Sequence, residues 1–261
     1  MLGRSRIKER IRSGELVVAS VLRFPDPALL EIMALSGVQM VTVDYEHYPF
    51  NEETLINLAR TADAHNVALI VRVPNAEPER IARIMDSGVE GIHLPSVDSA
   101  EEARALVDAV KYAPVGKRGF CPITRAAQYG LSSMTWEEYA QFSNEHSIIT
   151  AQIETVQGVE ELDKILAIPE IDIITSGASD LAASMGLIGR NSDPRVQDAV
   201  NEVRRKALAA GKTFIRKAGN EEEMRRLREE GDTLVVICSD QQMLMSSYQQ
   251  MVAAAREGRK N

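Results

Sequence analysis

Two acidic residues in the middle of the chain follow short apolar segments and are the first candidates for chemistry. Glu154 directly follows residues 148–153, and Asp180 comes shortly after residues 171–175; both segments are rich in β-branched side chains. Apolar residues recur between them at helical spacing, and a strand–helix–strand unit packs its strands parallel in one sheet. Neighbouring strands lie about 4.8 Å apart, so the two carboxylates can meet. Such a pair predicts a site for a hard divalent cation such as Mg²⁺.

Further polar residues stand where other apolar segments end. Asp44, Glu46 and His47 follow the second such segment, and Arg72 lies near the end of the third, in otherwise apolar surroundings. A histidine beside carboxylates can serve as a base, because they orient its ring and raise its basicity. An arginine in an apolar strand requires a ligand or partner, since an unpaired buried charge is costly. Together with the cation, these residues predict proton abstraction next to a carbonyl, with the metal holding the resulting enolate.

Each of these residues also has a structural interpretation. The two acidic residues can lie at helix N-termini, where a negative charge is favourable, the arginine can form a structural ion pair, and the histidine can be a loop residue without a task. His93 is interpreted as a core residue or a support for the site. Lys217 offers a different chemistry, because a lysine at a strand end can form a Schiff base with a ketone. Side chains alternate along a strand, so only one of Arg216 and Lys217 can point inward.

These residues require a scaffold in which the ends of several strands meet. Eight apolar segments alternate with segments of helical spacing, and the predicted strands are residues 16–22, 40–43, 67–73, 91–94, 148–153, 171–175, 212–216 and 233–238. Helix starts are marked by capping residues, namely Asp26 before Pro27, Asn51, Asn75, Ser99 with Glu102, and Thr135 with Glu138. A segment rich in Gly, Pro and Arg, residues 112–131, interrupts the repeat and predicts a long loop.

Eight strands alternating with helices in about 250 residues are typical of a closed (β/α)8 or TIM barrel, an α/β fold with a parallel sheet. A doubly wound sheet is the alternative, but it requires a glycine-rich phosphate turn after the first strand. Leu22-Arg23-Phe24-Pro25 is not such a turn. No linker or low-complexity segment divides the chain, so a single domain over residues 1–261 is predicted. In such a barrel the active site lies at the C-terminal ends of the strands.

Composition argues against several classes of function. The 261 residues are 44% hydrophobic, enough for a full core, and the net charge of −8 argues against a nucleic-acid partner. No uninterrupted run of 18 apolar residues predicts a membrane span, and the N-terminal segment lacks the apolar stretch of a secretory signal. Cys121 and Cys238 have no metal-ligand spacing. We therefore expect a reduced, cytoplasmic protein that contacts neither nucleic acid nor membrane.

Six short motifs occur in a fixed order along the chain. They are Asp44-Tyr45-Glu46-His47, Val71-Arg72-Val73-Pro74, Gly91-Ile92-His93-Leu94-Pro95, Gly116-Lys117-Arg118-Gly119, Gln152-Ile153-Glu154-Thr155 and Gly177-Ala178-Ser179-Asp180-Leu181. In this order they resemble the HpcH/HpaI aldolase/citrate lyase family, over residues 14–240. The resemblance implies a metal-dependent class II aldolase that interconverts pyruvate plus an aldehyde with a 4-hydroxy-2-oxo acid.

The same resemblance implies roles for residues at the matching positions. Glu154 and Asp180 would bind Mg²⁺, Mn²⁺ or Co²⁺, and pyruvate would chelate that metal through its ketone and carboxylate oxygens. His47, paired with Asp44, would transfer protons, and Arg72 would stabilise charge on the enolate oxygen.

Substrate binding would depend on a further group of residues. Gln152 would support the site, and backbone amides of Gly177, Ala178 and Ser179, at the start of a helix, would hold the pyruvate carboxylate. The chain departs from the family pattern twice, because Tyr48 replaces the usual glycine and Ala178 the usual proline. These departures leave the aldehyde open. We expect Tyr48 and the long loop to govern which aldehyde is accepted.

Barrels of this family commonly form hexamers that exchange their last helix. The resemblance therefore implies a homo-oligomer in which residues 241–256 pack on a neighbouring subunit. Two alternative functions stay open: an enolate-forming citrate-synthase-like enzyme or acyl-thioester carbon–carbon lyase on the same scaffold, and a non-catalytic oligomer that binds a small acid.

Overall fold

The strands of the chain form one parallel sheet. The computed structural model describes residues 5–257. The strand segments are β1 (Val17–Leu22), β2 (Met40–Asp44), β3 (Ala68–Arg72), β4 (Gly91–Leu94), β5 (Ile148–Gln152), β6 (Ile173–Thr175), β7 (Thr213–Phe214), β8 (Arg216–Lys217) and β9 (Leu234–Ser239). Their order in the sheet is β7-β6-β5-β4-β3-β2-β1-β9-β8, and every pairing is parallel. Parallel neighbours require long crossover connections, which helices provide.

The sheet closes through its split seventh strand. The predicted strand at residues 212–216 is divided into β7 and β8, with Ile215 between them. β7 pairs with β6 and β8 pairs with β9. The Ile215 N–H donates to the Ile174 carbonyl at 2.9 Å, and the Ala218 N–H donates to the Val236 carbonyl at 3.0 Å. One chain segment therefore contacts both edges of the sheet, and the predicted (β/α)8 barrel is confirmed.

Helices surround the barrel. Within the described residues they are α1 (Ile7–Arg12), α2 (Pro27–Leu35), α3 (Glu52–His65), α4 (Pro78–Asp86), α5 (Ala100–Val110), α6 (Trp136–His146), α7 (Val156–Glu160), α8 (Leu162–Leu166), α9 (Ala178–Ser184), α10 (Pro194–Ala209), α11 (Glu221–Glu229) and α12 (Asp240–Glu257). Side-chain caps explain seven of these twelve starts. The residues whose side chains accept a first-turn N–H are Asp26, Asn51, Ser99, Thr135, Thr155, Asp193 and Asn220.

One predicted helix cap is wrong. Helix α4 begins at Pro78, and its N-cap is Glu77 rather than Asn75. The Asn75 side chain instead accepts the Glu77 N–H at 3.3 Å within the preceding turn. Proline is favoured at the first helical position because it has no N–H to satisfy there, and this preference sets the start of α4.

The interior of the barrel is apolar at its N-terminal end. Side chains alternate along each strand, and β2 illustrates the pattern. Met40 belongs to the apolar cluster inside the barrel, whereas Val41 and Val43 pack against the surrounding helices. Helix α1 covers the N-terminal opening with the fully buried Ile7. The next inward positions of β2 are Thr42 and Asp44, so the interior becomes polar towards the C-terminal ends of the strands.

The long loop after α5 lies at the N-terminal end of the barrel. Arg118 Nη2 lies 2.5 Å from Asp86 Oδ1, and Arg125 Nη1 donates to the Ser87 carbonyl at 2.9 Å. Both partners lie at the end of α4, just before β4 begins. The loop is therefore far from the strand ends of its own barrel that carry Glu154, and within one chain it is not placed to choose the aldehyde as expected.

No helix among residues 5–257 is long and apolar enough to span a membrane. A single domain over residues 1–261 stays a prediction, and residues 1–4 and 258–261 lie outside the described residues.

The contact between β4 and β5 leaves no room for a side chain at Gly91. A Cβ there would lie 2.8 Å from the Ile148 Cβ and still closer to the Ile148 carbonyl oxygen. We expect Gly91→Ala to destabilise the protein by about 1–3 kcal/mol, as overpacking does. Urea denaturation followed by circular dichroism measures this change. Gly119→Ala is the matched control, because no atom lies within 4 Å of the position of its Cβ; equal stability of the two variants would contradict the prediction.

Candidate active site

Polar side chains form a layer at the C-terminal ends of the strands. Asp44 ends β2 and Arg72 ends β3, and the two are register partners. Arg72 is in turn the register partner of His93 on β4, and Gln152 ends β5. These residues continue the inward-facing series that starts with the apolar cluster below them. The barrel therefore brings several strands' polar residues to one place.

Glu154 and Asp180 converge on Gly177. A Cβ at Gly177 would lie too close to Glu154 Oε2 and 3.5 Å from Asp180 Oδ2. Both carboxylate oxygens are thus within 3.5 Å of one point, which is open only because residue 177 has no side chain. Glu154 is buried, whereas Asp180 is exposed in the first turn of α9. The predicted meeting of two acids from neighbouring strands is present in the structure.

Glu154 is held by donors from two other residues. Its Oε1 accepts the Ser96 N–H at 3.0 Å and the Ser96 hydroxyl at 2.9 Å, and its Oε2 accepts a hydrogen bond from the Gln152 amide. Burial raises the pKa of Glu154; the negative charge of Asp180 adds to the rise, and the Ser96 hydrogen bonds oppose it. The carboxylate is therefore fixed in direction, and a cation beside it would offset the cost of burying its charge.

Ser96 is a site residue that was not predicted from the sequence. Its φ of 48° lies in the left-handed region, which is uncommon for residues other than glycine and is found repeatedly at functional sites. This conformation lets both the N–H and the hydroxyl of one residue reach the same carboxylate oxygen. The one feature of the sequence that points to Ser96 is its position directly after Pro95, where the fourth strand has ended.

The donor set fits a hard divalent cation. Mg²⁺ is usually held by one or two carboxylates, with water and substrate oxygens completing its shell. Among residues 5–257, no group of three His, Cys, Asp or Glu side chains is placed to hold a metal ion. Glu154 and Asp180 would therefore supply the protein ligands, and the remaining positions would be left for substrate and water.

His93 is a buried neutral base linked to the carboxylate site. Its Nε2 lies 2.6 Å from Gln152 Oε1. Burial lowers the pKa of His93 to about 4, and the nearby positive charge of Arg72 contributes. A neutral ring can donate from Nε2 to the Gln152 oxygen, so that the Gln152 amide nitrogen faces Glu154. The interpretation of His93 as a support for the site therefore agrees with its position.

Arg72 is held by two carboxylates. Its Nη2 lies 2.7 Å from Asp44 Oδ2, and its Nε lies 3.3 Å from Asp44 Oδ1 and 3.2 Å from Glu46 Oε2. Asp44 is fully buried, and pairing to arginine offsets the cost of burying its charge. The structure therefore contains the partners that an arginine in the apolar third strand was predicted to require.

His47 lies at the mouth of the barrel, with a different partner from the predicted one. Its ring Nε2 lies 3.4 Å from Glu46 Oε2, and 60% of the side chain is exposed. Asp44 accepts the backbone N–H of His47 at 3.3 Å, not the ring. The ring therefore lies beside Glu46, whereas the Asp44 carboxylate is paired with Arg72.

The remaining predicted substrate-binding residues lie on both sides of the mouth. Gly177 is the N-cap of α9, Ala178 is its first residue, and the exposed Ser179 accepts a hydrogen bond from Asn191 Nδ2 at 2.8 Å. On the other side, the Tyr48 hydroxyl donates to Gln241 Oε1 at 3.0 Å.

Comparison with known proteins supplies independent information. Residues 22–247 match the family model described as HpcH/HpaI aldolase/citrate lyase. The chain is 31% identical over 225 residues, 86% of each chain, to a hydroxypyruvate/pyruvate aldolase of Roseovarius nubinhibens. It is similar to the crystal structure of an HpcH/HpaI aldolase from Desulfitobacterium hafniense, with a TM-score of 0.89, 29% identity and 96% of each chain covered. It is also similar to citrate synthase SbnG, with a TM-score of 0.86, 29% identity and coverage of 96% and 97%.

The lowered pKa of His93 predicts how stability depends on pH. Between pH 6.5 and pH 4 the unfolded state binds a proton at this histidine and the folded state does not, so stability falls as pH falls. We expect the stability advantage of the wild type over His93→Gln to shrink by about 3 kcal/mol from pH 7.5 to pH 4. Urea denaturation at several pH values measures this difference. The control His65→Gln alters a histidine of α3 and should keep the wild-type trend; a constant advantage over His93→Gln would contradict the prediction.

Proposed function

The chain belongs to the HpcH/HpaI aldolase/citrate lyase family, and from this premise we propose that it is a class II aldolase that interconverts pyruvate plus an aldehyde with a 4-hydroxy-2-oxo acid. The predicted class of enzyme, a carbon–carbon lyase, is confirmed by the aldolases among its relatives. The observation that carries the proposal is the convergence of Glu154 and Asp180 on Gly177. The dependence on a divalent cation and the choice of pyruvate belong to the proposal.

Glu154 and Asp180 would hold Mg²⁺, Mn²⁺ or Co²⁺. When bound, the cation supplies positive charge that stabilises an enolate oxygen. Ser96 and Gln152 keep the buried carboxylate of Glu154 in one orientation through three hydrogen bonds. A preorganised site of this kind requires little rearrangement when charge develops during the reaction.

Arg72 would face the developing negative charge on the substrate. Its contacts with Asp44 and Glu46 engage Nε and Nη2, and a guanidinium has five N–H donors. Donors therefore remain for a substrate oxygen. The two carboxylates fix the plane of the guanidinium, so that the interaction is available without reorientation.

His47 would move the proton. In the direction of cleavage, it would accept the proton of the C4 hydroxyl while the C3–C4 bond breaks, and the bonding electrons would pass into the pyruvate enolate. It would then return this proton to C3 of the enolate, which gives pyruvate. In the direction of synthesis, it would accept a proton from the methyl group of pyruvate and deliver it to the aldehyde oxygen, which becomes the C4 hydroxyl. The His47 ring lies 3.4 Å from Glu46 Oε2, and the exposure of His47 at the mouth allows proton exchange with solvent.

A citrate-synthase-like reaction is the second candidate, because the chain resembles citrate synthase SbnG over nearly its whole length. Both reactions would begin with an enolate and would differ in the acceptor or in the source of the enolate. Product analysis in the direction of synthesis separates them: the first candidate forms a 4-hydroxy-2-oxo acid from pyruvate and an aldehyde, whereas the second condenses an acyl thioester with oxaloacetate.

We also propose that the chain forms homo-hexamers in which α12 packs on a neighbouring subunit. The support is the apolar surface of this helix, since Met243, Leu244, Tyr248 and Met251 are exposed in the single chain. Exposed apolar surfaces of this kind commonly mark contacts between proteins.

Solvent exchange of pyruvate protons tests the proposed function. We expect the protein with Mn²⁺ to incorporate deuterium into the pyruvate methyl group, and EDTA to abolish the exchange until Mn²⁺ is restored. Glu154→Gln and Asp180→Asn should lower the exchange rate by about 100-fold or more, because a protein ligand is lost. Nuclear magnetic resonance follows the methyl signal.

The matched control is Glu160→Gln, which changes an exposed acid of the neighbouring helix α7. It should exchange at the wild-type rate. Exchange that survives EDTA, combined with inactivation by borohydride plus pyruvate at Lys217, would favour a Schiff base instead. No exchange at any Mn²⁺ concentration, together with unchanged small-acid binding by Glu154→Ala, would favour the non-catalytic oligomer.

Gly177 provides a second test that removes no charged group from the protein. Its φ of −91° and ψ of 99° suit any residue, so Gly177→Ala acts only through the new Cβ. That atom would displace the Glu154 carboxylate and approach Gln152 Nε2 to 2.8 Å. We expect Mn²⁺ affinity to fall by about 10–100-fold, measured by calorimetry. Gly119→Ala is the control; equal affinity of the two variants would contradict the proposed cation position.

A further inference from the structure

Most of the positions at which Glu154 can accept a hydrogen bond or a cation are already occupied. A carboxylate has about four acceptor positions, two on each oxygen. Oε1 accepts both the N–H and the hydroxyl of Ser96, at 3.0 and 2.9 Å, and Oε2 accepts one hydrogen bond from the Gln152 amide. Within residues 5–257 no further donor contacts this carboxylate. One acceptor position therefore remains, and it belongs to Oε2.

The two oxygens of Glu154 face different neighbours. Oε2 is the atom closest to the point where a Cβ of Gly177 would lie, and Asp180 Oδ2 lies 3.5 Å from the same point. Oε1 faces Ser96 instead. The oxygen with the remaining acceptor position is thus the one on the side of Asp180, where the two acids converge.

The turn that carries Ser96 is attached to the end of β5. Val97 is fully buried, and its N–H donates to the Gln152 carbonyl at 3.0 Å. Ser96 itself is exposed and has a φ of 48°. Glycine would adopt this left-handed conformation without strain, whereas serine adopts it at a cost. What the serine adds is the hydroxyl, which occupies the second acceptor position of Oε1.

The Gln152 amide is held in the orientation that supports this arrangement. His93 Nε2 lies 2.6 Å from Gln152 Oε1, so a ring that donates from Nε2 fixes the amide oxygen on its own side. The amide nitrogen then faces Glu154 Oε2 as a donor. Residues 93 and 96, on and just after β4, therefore control what reaches both oxygens of Glu154.

We propose that Ser96 is a positioning residue that leaves Glu154 a single coordinating position, so that the site prefers a small octahedral cation over Ca²⁺. This inference rests on the cation-dependent function proposed above. Mg²⁺ is held by one or two carboxylates and retains water, whereas Ca²⁺ takes six to eight oxygen ligands and often uses both oxygens of a carboxylate. Mn²⁺ also favours octahedral oxygen sites. With Oε1 closed by Ser96, Glu154 is not suited to bidentate binding.

The alternative is that the Ser96 hydroxyl only stabilises the turn. In that case its removal would lower the stability of the protein and leave the preference between cations unchanged. Because Ser96 is exposed, its substitution removes no buried packing, and the two interpretations can be separated by experiment.

Competition between two cations tests the proposal without turnover. The full protein is freed of metal with EDTA, Mn²⁺ binding is followed by electron paramagnetic resonance, and Ca²⁺ binding is measured by displacement of Mn²⁺. We expect the preference for Mn²⁺ over Ca²⁺ to fall by about 10-fold in both Ser96→Gly and Ser96→Ala. The loss of an outer-shell donor weakens Mn²⁺ binding, whereas Ca²⁺ gains access to Oε1. Ser96→Gly should unfold at the same urea concentration as the wild type, because glycine relieves the left-handed strain.

Ser13→Gly is the matched control, since it removes an exposed hydroxyl that donates to the Arg10 carbonyl at the end of α1, and it should keep the wild-type preference. An unchanged preference in both Ser96 variants, or an equal loss of affinity for both cations, would overturn the proposal. A wild type that binds neither cation would overturn the proposed cation site as well. Pyruvate deuterium exchange tests the aldolase function separately, so that the failure of either proposal can be recognised.

Discussion

A carboxylate buried at the mouth of a barrel is the constraint on which the rest of this site depends. Burial raises the pKa of Glu154, and a buried acid must be neutralised, hydrogen-bonded or paired with a cation. Ser96 donates two hydrogen bonds to this carboxylate and Gln152 donates one. The absence of a side chain at Gly177 leaves room for it. His93 stays neutral behind Gln152. Together these features hold the Glu154 carboxylate in one orientation.

A second buried acid organises the opposite part of the site. Asp44 is fully buried and lies between Arg72 and Arg23. Its charge attracts both guanidinium groups, whereas the His47 ring lies next to Glu46. The site therefore has an acidic side that suits a cation and a basic side that suits anions.

Much of this arrangement could be predicted from the sequence, because it depends on local patterns. Buried parallel strands are nearly continuous apolar segments, and Glu154 stands directly after one of them. Both the barrel and the pair of carboxylates could therefore be predicted from the sequence. The rest depends on tertiary structure. The left-handed turn at Ser96 has no pattern of its own, and the partner of His47 depends on which carboxylate Arg72 occupies. Asn75 failed as a cap because the neighbouring Pro78 set the start of the helix.

The vertical layering of the barrel interior has a consequence for how such proteins diverge. The apolar cluster around Met40 and helix α1 closes the N-terminal end, and the long loop is anchored there by Arg118 and Arg125. The apolar clusters inside the barrel and between its strands and helices do not include the polar side chains at the opposite rim. A lineage can therefore exchange rim residues one at a time and explore new acceptors while the scaffold beneath them stays intact.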